Sequence, residues 1–220
     1  MIRTKICGIA SFDDLKIAEN SGTDAVGFLV GKRHNAIGFI SVNLASELCR
    51  RTMPFIDTVL VTHSEEVNEI IHFAEIINPN AIQLHSDLSV EVLKLLKSRL
   101  PFQKLICKVS ICDESAVSRV LELQDYADAI LLDSIDLIND RVGGTGIVHN
   151  WNISKRIVDI LKKPVILAGG LNPENVIDAI IKVRPWAVDI NSGVTINGVK
   201  DNVLVNRFVL NAKGFQSLKS

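Results

Sequence analysis

Two residues at the tips of apolar runs could do acid–base chemistry. Cys7 closes the run Lys5-Ile6-Cys7-Gly8, and Asp133 closes Ile130-Leu131-Leu132-Asp133. A thiol becomes a base or nucleophile when a nearby cation or helix N-terminus lowers its pKa. A carboxyl at a strand tip is a candidate general acid or base. Each has an ordinary alternative: an isolated cysteine is most often a small buried hydrophobe, and a strand-end aspartate often holds a turn. Lys5 lies two residues before Cys7, so on a strand the two side chains share a face. Gln83 and His85 share a face in the same way, although a lone histidine is more often structural than catalytic. No spacing of His, Cys, Asp and Glu matches a metal site, so no metal is expected.

Anion binding would come from glycine. Gly143-Gly144-Thr145-Gly146, Ala168-Gly169-Gly170-Leu171 and Asn191-Ser192-Gly193 are three such segments in the second half of the chain. Glycine lets backbone N–H groups approach an oxyanion closely. One glycine loop also simply makes a turn; two after consecutive late strands are a phosphate-binding signal of α/β barrels.

These residues need strands to carry them. Apolar runs rich in Val and Ile recur at 4–7, 25–30, 58–62, 81–85, 104–109, 129–133, 165–168 and 187–191. Between and after them, apolar residues at helical spacing predict helices over 12–20, 44–51, 67–77, 90–100, 116–123, 153–161, 173–183 and 202–212. Asn172-Pro173-Glu174 reads as a helix start, with Ser89 and Asp113 as weaker caps. Near-continuous apolar strands are covered on both faces. Eight β-then-α units predict one closed (β/α)₈ TIM barrel over residues 1–220, of the α/β class, with its site at the C-terminal ends of the strands. The connections 31–41 and 134–146 are long, as functional loops often are.

Composition narrows the partners. The 220 residues carry 24 basic and 25 acidic side chains, a net charge of -1, which argues against nucleic acid or an anionic membrane surface. Hydrophobic residues make up 47%, enough for a core without staples. The four cysteines form no CxxC pair and read as reduced thiols, and no signal sequence or membrane-length apolar run is visible. A cytoplasmic protein acting on a small molecule is expected, as a monomer or homodimer.

Several motifs together resemble phosphoribosylanthranilate isomerase: Lys5-Ile6-Cys7-Gly8-Ile9, Gln83-Leu84-His85, Leu131-Leu132-Asp133, Gly143-Gly144-Thr145-Gly146, the run from Ala168 to Val176, the run from Val188 to Val194, and Lys200-Asp201. They fall in the family's order along almost the whole chain. The resemblance implies an Amadori rearrangement in tryptophan biosynthesis. It makes Cys7 the base and Asp133 the acid. The substrate phosphate would rest on Gly169, Gly170, Ser192 and Gly193. Lys5, Arg33, Gln83, His85, Gly144 and Asp189 would line the rest of the substrate site. No cofactor is implied, because the substrate's own nitrogen serves as electron sink. Lys5 could favour the Cys7 thiolate or pair with an acid such as Asp189; burial could raise the pKa of Asp133.

The resemblance departs from the family pattern after the second strand. The usual arginine for the anthranilate carboxylate is replaced near Gly38, which leaves Arg33 or Lys32 to take that role. His63, Ser86 and His149 stand where the family has other residues, and His34, His63 and His149 could reach the rim. Two alternatives therefore stand beside the isomerase: a paralogue acting on another phosphorylated sugar or aminosugar, and a non-catalytic barrel that binds a phosphometabolite.

Overall fold

The computed structural model describes residues 1–31, 38–136, 141–142 and 148–214, with backbone alone at 135–136 and 141–142. Eight parallel strands close a barrel: β1 (Arg3–Cys7), β2 (Ala25–Val30), β3 (Asp57–Thr62), β4 (Ala81–Leu84), β5 (Lys104–Ser110), β6 (Ala129–Asp133), β7 (Val165–Leu167) and β8 (Ala187–Ile190). Each strand pairs with the next in sequence, and β8 pairs back onto β1 from Arg3↔Ala187 to Ile6↔Ile190. Eight helices follow the strands: α1 (Phe12–Asn20), α2 (Val42–Arg51), α3 (Val67–Ile77), α4 (Val90–Arg99), α5 (Ser115–Leu123), α6 (Trp151–Ile160), α7 (Val176–Val183) and α8 (Asn202–Gly214).

Alternation along the strands splits the core in two. Outward residues such as Ile6, Phe28, Leu60, Ile82, Ile130 and Val188 pack under the helices in one continuous cluster. Inward residues such as Leu29, Val59, Val61, Ile106, Leu131 and Ile166 form a second cluster that fills the barrel and includes Cys7. Both faces are buried, which is why the strands read as unbroken apolar runs.

Local chemistry starts the helices. The hydroxyls of Ser11, Ser41 and Ser89 accept from the N–H groups of Asp14, Leu44 and Val92, the cap geometry that satisfies a free first-turn donor. Asp113 accepts from Ser115 N–H at 2.8 Å just ahead of α5. The expected start of the seventh helix is corrected. Asn172 Oδ1 accepts from the N–H groups of Glu174 and Asn175, both at 2.9 Å. Those bonds close a turn around Pro173, and regular helix begins only at Val176. Elsewhere the element ends coincide with the expected ones or differ by at most two residues. Two short antiparallel ribbons decorate the C-terminal rim: Ile135–Asp136 with Arg141–Val142 after β6, and Thr195–Ile196 with Val199–Lys200 after β8.

Candidate active site

At the C-terminal mouth, β1 turns Lys5 and Cys7 inward as its alternation requires; both are buried. Room for them comes from the neighbouring strand. Gly27 is in register with Cys7. A Cβ at Gly27 would stand 3.0 Å from Cys7 Sγ and 3.2 Å from Lys5 Nζ. The sequence reading passed over Gly27; its signal was a lone glycine inside an apolar strand, at an inward position.

Lys5 donates to Asp189 Oδ2 on β8 and to Gln83 Oε1 on β4, each at 3.0 Å. Burial opposes its charge, but Asp189 and Cys7 beside it hold its pKa above the ordinary lysine value. Lys5 therefore does both things the sequence allowed: it pairs with Asp189 and stands beside Cys7. It does not win the contest over the thiol. Burial pushes Cys7 up, against the opposing pull of Lys5 and Lys200. Burial therefore favours the thiol form of Cys7 in the free protein over the thiolate that Lys5 could favour.

On the far wall Asp133 ends β6. Its Oδ1 accepts from Ser134 N–H at 2.8 Å, while Oδ2 lies 3.6 Å from His85 Nε2. Burial raises the carboxyl to about 6, outweighing the Ser134 N–H and the Lys108 and Lys5 charges. His85 Nδ1 is 3.2 Å from Gln83 Nε2. Burial, with His63 and the lysines Lys108 and Lys5, drives the His85 pKa well below its usual value, so the ring is neutral. Gln83 is almost fully buried, with its amide engaged by Lys5 and His85.

The glycine loops close the mouth from the other side. Gly169 and Gly170, after β7, have φ of 77° and 66°. Gly169 is constrained twice, because a Cβ there would also fall 2.5 Å from Ser134 N and 2.9 Å from Asp133 Oδ1. Asn175 Nδ2 donates to Gly170 O at 2.9 Å and so ties this loop to α7. After β8, Ser192 and Gly193 lie in a single 3₁₀ turn, Ser192–Val194. A Cβ at Gly193 would meet Leu171 O at 2.2 Å, so the two loops touch. Lys200, noticed in the sequence only as part of a motif, is buried behind the second loop. Its ammonium donates to Asn191 O, Asn191 Oδ1 and Thr195 Oγ1 and is pushed by burial down to about 8.

At the rim, His63 stacks at 4.5 Å on His85 and meets the edge of Phe39 at 5.4 Å. Ser86 Oγ donates to His63 O at 2.6 Å. His149 does not reach the rim: it is buried, its Nε2 is 2.7 Å from Ser154 Oγ, and burial lowers its pKa to about 4. Lys32, Arg33, His34 and the Gly143–Gly146 segment with Gly144 lie outside the described residues. Among the described residues no three His, Cys, Asp or Glu side chains group as a metal ion would need. Two buried polar atoms at the mouth, Asp189 Oδ1 and Ser134 Oγ, have no hydrogen-bond partner among the described residues.

Comparison with known proteins points one way. Residues 4–211 match the family model described as N-(5'phosphoribosyl)anthranilate (PRA) isomerase. N-(5'-phosphoribosyl)anthranilate isomerase 2 of Methanosarcina mazei is 40% identical over 213 residues, covering 96% of this chain and 94% of its own. The solved phosphoribosyl anthranilate isomerase of Thermotoga maritima superposes with a TM-score of 0.85 at 34% identity, covering 97% of this chain and all of the other. A solved phosphoribosyl anthranilate isomerase in complex with reduced 1-(o-carboxyphenylamino)-1-deoxyribulose 5-phosphate superposes with a TM-score of 0.82 at 33% identity, with the same coverage.

Proposed function

The chain belongs to the N-(5'-phosphoribosyl)anthranilate isomerase family, and from that membership we propose the reaction its barrel mouth performs: conversion of N-(5'-phosphoribosyl)anthranilate into 1-(o-carboxyphenylamino)-1-deoxyribulose 5-phosphate, a step of tryptophan biosynthesis. Asp133 is the general acid. The proton on Oδ2 passes to the furanose ring oxygen, the C1–O bond breaks, and the anthranilate nitrogen lone pair completes a Schiff base. Cys7, as thiolate, then removes the proton from C2; the resulting enolamine tautomerises to the ketone. The nitrogen is the electron sink, so no cofactor is needed.

The observation that carries this reading is the pair of buried groups on inward faces of one barrel mouth. A carboxyl held near 6 keeps its proton far better than an ordinary aspartate, and a thiol sits beside a lysine. The two touching glycine loops offer Gly169, Gly170, Ser192 and Gly193 to the phosphate. Asp189 Oδ1 and Ser134 Oγ have capacity for the sugar hydroxyls. We assign the substrate carboxylate to the basic segment Lys32-Arg33 and a further substrate contact to Gly144. Residues 1–220 act as one catalytic barrel, as a monomer or homodimer, in the cytoplasm. No described helix is long and apolar enough to cross a membrane.

The test is phosphoribosylanthranilate consumption, followed by its fluorescence, for the wild type, Cys7→Ala and Asp133→Asn. Turnover in the wild type and at least a ~100-fold loss in both folded variants is expected. A wild type that binds phosphate without turning this substrate over would overturn the reading in favour of another phosphorylated sugar.

A further inference from the structure

The buried hydrogen bonds around Gln83 have a fixed direction. An ammonium only donates, so the Gln83 atom facing Lys5 Nζ at 3.0 Å is its carbonyl oxygen. That leaves the Gln83 amide nitrogen, a donor only, facing His85 Nδ1 at 3.2 Å. His85 Nδ1 must therefore be the acceptor, and in a neutral ring the proton is then on Nε2. Nε2 is the nitrogen that faces Asp133 Oδ2 at 3.6 Å.

We propose that Gln83 is a positioning residue that, held by Lys5, locks His85 in its Nε2–H tautomer and so keeps the ring from competing with Asp133 for the catalytic proton. The inference rests on the isomerase reading only for its kinetic consequence. In the other tautomer the Nε2 lone pair would face Asp133 Oδ2 and could take its proton, giving imidazolium and carboxylate and disabling the acid. With Nε2 already protonated and Nδ1 engaged, His85 has no free lone pair for that proton. It can still offer its N–H to the carboxylate formed when Asp133 has given its proton to the ring oxygen. Ser134 N–H occupies Oδ1, which leaves Oδ2 to hold the transferable proton. The charges around Asp133 are Lys5 from β1, Lys108 from β5 and Asp189 from β8, and His63 faces His85 from the end of β3. Among these, Gln83 alone touches both His85 and Lys5 through one amide.

Two substitutions separate the cases. Gln83→Met removes the donor at similar volume, and Gln83→Glu puts an acceptor opposite Nδ1. The first readout is ¹⁵N NMR of the His85 ring in the ligand-free protein, which needs no turnover. In the wild type Nε2 should be of the protonated type and Nδ1 of the lone-pair type across neutral pH. In Gln83→Glu the Nδ1 proton should appear, with kcat/KM falling about tenfold or more and its acid-side midpoint moving to lower pH. Gln83→Met should lose kcat/KM in the same direction. A wild-type ring protonated on Nδ1, or a ring signature unmoved by Gln83→Glu, would overturn the proposal. The expected tautomers in a protein that does not turn over phosphoribosylanthranilate would overturn the isomerase reading and leave the lock standing.

Discussion

Cys7 and Asp133 are ionised in the wrong sense for their proposed roles in the resting protein. Burial holds the thiol protonated and the carboxyl, at about 6, loses its proton below neutrality. The reactive form therefore has one proton moved from thiol to carboxylate, a minority of the molecules. Such a pair gives a level kcat/KM between the two pKa values. Below about 6 both groups are protonated, and the rate falls with pH although Asp133 is the acid. The expected profile rises to a midpoint near 6, stays flat, and falls only above the ordinary thiol range; a rise that continues through neutral pH to a thiol-like midpoint would contradict it. The same shift predicts stability. The folded carboxyl titrates at about 6 and an ordinary one near 3.8, so the native state binds the extra proton between them. That stabilisation is complete below 3.8 and lost as pH rises through 6, which leaves ionised Asp133 destabilising at pH 7 by about 3 kcal/mol. Asp133→Asn should raise the thermal midpoint at pH 7 and not at pH 3.5, while abolishing turnover. These two residues were legible because strand alternation and strand-end position sufficed to find them. The thiol's protonation was not, because burial is a property of the closed barrel and leaves no mark on Lys5-Ile6-Cys7.

At the scale of elements, β1 and β2 must be taken together. Cys7 and Lys5 fit only because β2 places a glycine opposite them. Gly27→Ala should fold, since Lys5 can give a few tenths of an ångström, at a stability cost of about 1–2 kcal/mol. Its kcat should fall about tenfold or more through displacement of Cys7, and KM should change little. Unfolding and steady-state kinetics on one preparation test this; an unchanged kcat would show that the cleft is loose. The strands were readable almost to the residue, because inner and outer core clusters make each of them apolar throughout. The start of α7 was not. Asn172-Pro173-Glu174 has the composition of a helix cap, but the Asn172 side chain spends its bonds on a separate turn first. The ribbons after β6 and β8 were also missed, since pairs of two residues carry no period.

For the whole molecule, the mouth is one connected set of side chains from four strands. Asp189 on β8, Lys5 on β1, Gln83 on β4 with His85 just beyond it, and Asp133 on β6 stand in succession across the barrel. Breaking the ion pair on one side leaves a buried charge alone. Lys5→Met should cost on the order of 3–5 kcal/mol in denaturant unfolding. Adding Asp189→Leu should restore most of it, without restoring turnover. Failure of the second change to recover stability would mean that Lys5 holds the barrel through Gln83 instead. The eightfold pattern made the closed barrel legible, and with it which end carries the site. Which inward side chains touch across the barrel depends on strand tilt and closure, so the pairing of residue 5 with 189 stood in the sequence only as one of two alternatives, and its pairing with 83 could not be read from spacing along the chain.

The seam of the barrel lies between the first strand and the last. Lys5 and Asp189 are 184 positions apart, yet they face each other directly across β1 and β8. During synthesis on a ribosome, β1 emerges before the other barrel strands and its counter-ion, on β8, only after the seven before it. At about 5–20 residues per second, Lys5 waits on the order of 10–40 s for Asp189. Until then one edge of β1 is open, and the lysine destined for the interior remains hydrated. The barrel, its mouth and the contact between its two glycine loops are thus completed by the same late event, and a nascent chain released before β8 would lack all three.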